Sequence, residues 1–134
     1  MENEELVCID SSVLIDFFRK VDKTKSFFYK LTKSHKLFAV SVITEYEILV
    51  GSNEETNLFW NNFFEKINVL PFDKQANIEA VKIFKQLKKD NNLIEIPDIL
   101  IGATSMANNL KLATLNKKHF QRIKGLELIL NENT

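Results

Sequence analysis

Leu6-Val7-Cys8-Ile9-Asp10-Ser11-Ser12-Val13-Leu14-Ile15-Asp16-Phe17-Phe18 is the stretch on which the fold turns. Leu6 to Ile9 is an apolar run of strand length. It stops at Asp10, Ser11 and Ser12, polar residues suited to capping a helix, and Val13, Leu14, Phe17 and Phe18 then recur at helical spacing. A short strand feeding a helix through polar caps is the unit to look for elsewhere in the chain.

The unit recurs. A second helical stretch is expected from Lys23 to Ser34. Leu37 to Val40 is the next strand candidate, and Ser41 can cap a helix containing Ile43, Tyr46 and Leu49 that Gly51 ends. Leu58 to Phe64 is rich in aromatics, with Trp60 expected in the core. Ile67 to Leu70 reads as a strand stopped by Pro71. Lys74 to Lys89 is a long amphipathic helix whose seam is expected at Ile78, Val81, Phe84 and Leu87 or Lys88. Pro97 fits the first turn of a helix that reaches about Asn108. Lys111 to Thr114 is a strand, a short helix follows near Phe120, and Leu126 to Leu130 is the last strand.

Strands alternating with helices imply an α/β domain with a central, mostly parallel sheet and helices on both faces. Ligands of such folds gather at the carboxyl ends of the strands, where Asp10, Ser41 and Asn116 fall. The 134 residues fit one domain, 1–134, with no repeat, linker or low-complexity stretch.

Composition narrows the function classes. Apolar residues make up 45% and charged residues 27%, as in an ordinary globular protein. No apolar run approaches the ~20 residues of a membrane span, and the start, Met1-Glu2-Asn3-Glu4-Glu5, is acidic rather than signal-like. A cytoplasmic protein is expected. Cys8 is the one cysteine, which excludes disulfides and a multi-cysteine zinc site. Eighteen basic and eighteen acidic side chains balance, so the chain is no dedicated nucleic-acid coat. Local basic groups run from Lys20 to Lys36, from Lys82 to Lys89, and through Lys117, Lys118, Arg122 and Lys124, the last beside a candidate site.

The residues able to carry chemistry are acids. Asp10 ends a strand and Asp98 opens a helix, positions where each also serves as a cap or complements the helix dipole. At ~100° per residue, Gly102 and Ser105 share the face of Asp98, a small polar face unlike core that lets a ligand or backbone approach. In Ser41-Val42-Ile43-Thr44-Glu45-Tyr46-Glu47-Ile48-Leu49-Val50-Gly51 the apolar stripe is Val42, Ile43, Tyr46, Leu49 and Val50. Glu45 and Glu47 sit on its opposite borders, and periodicity does not choose between them. Asn116 follows a strand and can cap the helix after it, and His119 reads as a helix-end histidine.

Carboxylates held together repel one another, and burial raises the cost. A divalent cation relieves both penalties, and oxygen donors suit Mg2+ or Mn2+ rather than zinc. Such a cation can activate water for attack on a phosphodiester. Nothing competes as a catalytic device: the chain lacks a Gly-rich phosphate loop and a G-x-S-x-G elbow.

Val7-Cys8-Ile9-Asp10-Ser11-Ser12-Val13-Leu14-Ile15-Asp16 resembles the opening strand and helix of PIN-domain proteins. Ser41-Val42-Ile43-Thr44 with Glu47-Ile48 and Gly51 resembles their second motif, which selects Glu47 over Glu45. Ile96-Pro97-Asp98-Ile99-Leu100-Ile101-Gly102-Ala103 resembles the third, and Leu112-Ala113-Thr114-Leu115-Asn116 through His119-Phe120 the fourth. The nearest likeness is to VapC-type toxins of toxin–antitoxin pairs. That resemblance implies a Mg2+- or Mn2+-dependent endoribonuclease acting on structured RNA such as transfer RNA. It also implies a homodimer restrained by a cognate antitoxin. Asp10 and Asp98 would ligate metal, Glu47 would bind metal or position the attacking water, and Asn116 would complete the shell. Ser12 and Thr114 would orient the carboxylates. Many relatives carry aspartate where this chain has Asn116; the neutral oxygen weakens a second cation site, leaving one metal or two open.

Three other readings compete. A receiver-like signalling domain wants paired acids before its first helix and a strand-end lysine, and only Asp10 stands there. A haloacid-dehalogenase-like phosphatase wants an aspartate where Ser12 stands. A catalytically vestigial PIN-fold binding module would not need Asp10, Glu47 and Asp98 together.

Overall fold

The protein is described by a computed structural model covering residues 3–132. Met1 and Glu2 of the acidic start lie outside the described residues, as do Asn133 and Thr134. In chain order the elements are β1 (Asn3–Ile9), α1 (Ser11–Arg19), α2 (Phe27–Thr32), β2 (His35–Ser41), α3 (Val42–Val50) and α4 (Glu54–Glu65). They continue with β3 (Asn68–Leu70), α5 (Lys74–Lys89), α6 (Ile96–Ala107), β4 (Leu112–Thr114), α7 (Lys117–Phe120) and β5 (Leu128–Leu130).

The sheet has the order β3-β2-β1-β4-β5, and every neighbouring pair is parallel. β1 is central. Val7, Cys8 and Ile9 are all fully buried because helices cover both faces. Alternation survives in where the side chains go. Val7 and Ile9 enter a core with Leu14, Trp60 and Phe64, while Cys8 enters the opposite one with Leu87, Ile99 and Phe120. The chain first builds outward from β1 through β2 to β3, then crosses back to add β4 on the other flank. The switch point therefore lies between the carboxyl ends of β1 and β4.

Local chemistry explains the helix starts. Asp10 caps α1, accepting from the Val13 N–H at 3.2 Å. Ser41 caps α3 through the Ile43 N–H at 3.0 Å. Asn53 and Thr56 form a reciprocal capping box at α4. Pro97 stands in the first turn of α6, as expected.

Several expectations need correction. The helix expected over Lys23 to Ser34 is broken: Lys23–Lys25 forms a 3-10 turn, and α2 starts only at Phe27. Ser26 is extended and caps α2 through the Tyr29 N–H, while Asp16 takes the Phe27 N–H at 3.0 Å. The seam of α5 is Ala76, Ala80, Ile83 and Leu87, whereas Ile78, Val81 and Phe84 are 38%, 46% and 40% exposed. Small alanines let α5 lie close on α6, and that close approach outweighs the larger side chains on the neighbouring arc. On α3 the innermost residues are Thr44 and Ile48, while Tyr46 and Val50 of the expected stripe are exposed. The last strand begins at Leu128 rather than Leu126, because Gly125 turns the chain with a φ of 88°.

Candidate active site

Asp10 leaves the carboxyl end of β1 and is only 3% exposed. Its Oδ1 accepts from the Ser12 hydroxyl at 2.6 Å as well as from the Val13 N–H. Its Oδ2 accepts from the Thr114 hydroxyl at 2.6 Å, across the switch point from β4. Both hydroxyls are held in turn. The Leu115 N–H donates to Ser12 Oγ at 3.0 Å, and the Asn116 N–H donates to Thr114 Oγ1 at 2.8 Å. Burial pushes the Asp10 carboxyl up to about 6, against the hydrogen bonds from Ser12, Thr114 and Val13, which pull it down; the charge of Asp98 adds to the upward shift.

Asp98 stands in the first turn of α6, and its Oδ2 lies 2.9 Å from His119 Nδ1. Asn116 occupies the N-cap position of α7 but makes no side-chain capping bond. Its amide Nδ2 lies instead 2.9 Å from the same His119 nitrogen. A continuous polar path thus joins Asp10 to Asp98 through Thr114, Asn116 and His119. Glu47 belongs to a separate pair: its Oε1 accepts from the Ser11 hydroxyl at 2.7 Å, which turns it toward the start of α1.

Asp10, Ser12, Thr114, Asn116 and Asp98 are therefore brought into one network, with Glu47 beside it through Ser11. Among the described residues, no three His, Cys, Asp or Glu side chains converge tightly enough to chelate an ion by themselves. The donor chemistry still fits a hydrated hard cation, which binds through one or two carboxylates and keeps its water. A carboxylate has about four acceptor positions. Oδ2 of Asp10 accepts a single bond, and no hydrogen bond among the described residues engages Asp98 Oδ1 or Glu47 Oε2.

His119 and Ser11 belong to the site and were not anticipated. His119 meets Asp98 across 21 residues of chain, a separation that local patterning does not bridge. The face of Gly102 and Ser105, expected to lie outside the core and to admit a ligand or another backbone, is core. Both residues are buried, and a Cβ on Gly102 would lie 2.8 Å from Ile123 Cδ1. The glycine lets the segment after α7 close onto α6. The third basic group divides. Arg122 donates to the Leu93 carbonyl and Lys124 pairs with Asp90 at 3.7 Å, while Lys117 and Lys118 are exposed at the start of α7.

Fold and site together define an α/β domain with a hydrogen-bonded acidic cluster at the switch point of a parallel sheet. The PIN domain family model matches residues 7–126. Ribonuclease VapC1 of Methanocaldococcus jannaschii is 34% identical to this chain, over 95% of it and 88% of the relative. A chain of VapBC-1 from nontypeable Haemophilus influenzae superposes with a TM-score of 0.79 at 25% identity, covering 92% of this chain and 96% of that one. A chain of a toxin-antitoxin complex from Klebsiella pneumoniae shares the fold, with a TM-score of 0.74 at 24% identity over 92% of this chain and 95% of that chain. The chain belongs to the PIN-domain family, within its VapC group.

Proposed function

We propose that the chain is an endoribonuclease, the toxin of a toxin–antitoxin pair, which hydrolyses phosphodiester bonds of structured RNA such as transfer RNA with Mg2+ or Mn2+. The observation that carries this reading is the polar path joining buried Asp10 to Asp98 at the switch point. The ribonuclease name of the Methanocaldococcus relative supports it.

Asp10 and Asp98 would hold the cation through the acceptor positions left open. Ser12 and Thr114 orient the Asp10 carboxylate, and Asn116 completes the polar edge. When bound, the cation neutralises charge on the scissile phosphate and acidifies water. Glu47, steadied by Ser11 through Oε1, holds the attacking water with Oε2. Lys117 and Lys118, exposed beside Asn116, take flanking phosphates of the RNA.

A cognate antitoxin and a homodimer complete the proposal. The toxin-antitoxin neighbour supports the first. Trp60 and Phe64 are core, but Phe18 and Phe59 are 37% and 44% exposed with ring centroids 5.5 Å apart. That aromatic edge is where an antitoxin helix would dock. The cytoplasm is the proposed location; among the described residues no helix is long and apolar enough to cross a membrane.

The test is incubation of end-labelled total transfer RNA with the purified chain in Mg2+, in Mn2+ and in EDTA. Discrete cuts that require a cation and stop on adding the antitoxin are expected. Cuts that persist undiminished in EDTA would refute the cation-dependent reading.

A further inference from the structure

His119 Nδ1 faces two partners at once: Asp98 Oδ2 at 2.9 Å and the Asn116 amide nitrogen, also at 2.9 Å. A ring nitrogen offers either one N–H or one lone pair, so it cannot accept from an amide N–H2 and donate to a carboxylate together. The bond to the carboxylate decides. A hydrogen bond to a charged acceptor is roughly twice as strong as a neutral one. The alternative would set a lone pair of Nδ1 against a carboxylate oxygen at hydrogen-bond distance. The orientation of an asparagine amide, by contrast, is an assignment that follows from its neighbours. Turned over, Asn116 presents Oδ1 to the same N–H, which the carboxylate and the amide oxygen then share without a clash of lone pairs on Nδ1.

We propose that His119 is a positioning residue: its Nδ1–H, steadied by Asn116 Oδ1, fixes Oδ2 of Asp98 and leaves Oδ1 of Asp98 as the oxygen presented to the cation. This rests on Asp98 being a cation ligand, as proposed above. It makes Asn116 a support for His119 rather than a donor to the cation, and it gives the site a reason to carry asparagine there. Asp98 is 18% exposed and His119 37% exposed at the side chain, so the bond is partly shielded from competing water. Partners of this kind behind a metal-ligating carboxylate typically contribute about 10- to 100-fold to metal affinity.

The chain has only two histidines, His35 and His119, so ring nitrogens can be assigned by 15N NMR with one variant. In the cation-free protein, His119 Nδ1 is expected to carry the proton; a bare Nδ1 overturns the proposal. Titration calorimetry with Mn2+ alone supplies the second reading. His119→Phe keeps the ring shape without the donor and is expected to weaken Mn2+ binding by about 10- to 100-fold. His119→Asn places its Nδ2 near the position of Nδ1 and should recover most of the loss. Wild-type affinity in His119→Phe, or no recovery in His119→Asn, overturns the proposal. An Asp98→Asn control separates the two levels: if that variant binds Mn2+ like wild type, the cation reading itself is wrong. If it loses Mn2+ while His119→Phe does not, only the role of His119 falls.

Discussion

Burial takes the Asp10 carboxylate out of water, and the three hydrogen bonds it accepts only partly compensate. Its pKa rises from 3.8 to about 6, so the folded protein binds a proton over a window in which the unfolded chain has released it. The contribution of Asp10 to stability is therefore highest below pH ~4, falls as pH rises to about 6, and is level beyond. At ~1.4 kcal/mol per pKa unit the full change is about 3 kcal/mol. Asp10→Asn removes the titration. In cation-free buffer, the urea-derived stability of that variant relative to wild type should climb across pH 4–6 by roughly 1–3 kcal/mol. A pH-independent difference would contradict the environment assigned to Asp10. The same variant should lose nuclease activity, a site that gives up stability for chemistry. Asp10 and Asn116 were legible in the sequence because each stands just past a strand, while Ser12 and Thr114 were legible only through the resemblance to PIN-domain motifs. Ser11 and His119 were not, since their partners, Glu47 and Asp98, reach the site only through the folding of α3 and α6.

At the scale of elements, α6 shows how close packing competes with propensity. Gly102 is buried in mid-helix, where alanine would ordinarily gain about 1 kcal/mol. Here a Cβ meets Ile123 Cδ1 at 2.8 Å, but that methyl is the far end of a side chain and can shift. Gly102→Ala is expected to stay within ~1 kcal/mol of wild type, the two effects opposing each other. Gly102→Leu should cost more than ~2 kcal/mol by overpacking, measured by urea denaturation. Equal stability of both variants would show that the segment after α7 does not rest on α6. The same contest sets the seam of α5 apart from the one that hydrophobic periodicity predicts. Hydrophobic periodicity weights Ile78, Val81 and Phe84 by size, whereas the helix pair selects Ala76 and Ala80 because they permit approach. Strand positions suffered less, since a strand run buried on both faces offers no choice of side.

For the molecule as a whole, zero formal charge means that no global field draws in RNA, and affinity depends on local cations. Lys117 and Lys118 are the exposed pair beside Asn116, whereas Arg122 and Lys124 are tied to Leu93 and Asp90. Replacing Lys117 and Lys118 by glutamine should weaken RNA binding and flatten its dependence on salt, each lost phosphate contact reducing the log–log slope by roughly 0.7–0.9. The equivalent change at Lys82 and Lys85, on α5, should leave the slope alone. The parallel order of the sheet followed from the alternation of short apolar runs with helices, and the switch point was fixed by β4 joining the far side of β1. The central claim is that RNA is cut at that switch point, and the most direct test compares wild type with Asp98→Asn on end-labelled RNA at saturating Mg2+. Asparagine keeps the size of Asp98 and removes its charge, so a folded variant with cleavage reduced at least ~100-fold is the result expected. Cleavage at the wild-type rate would place the chemistry elsewhere and contradict the account.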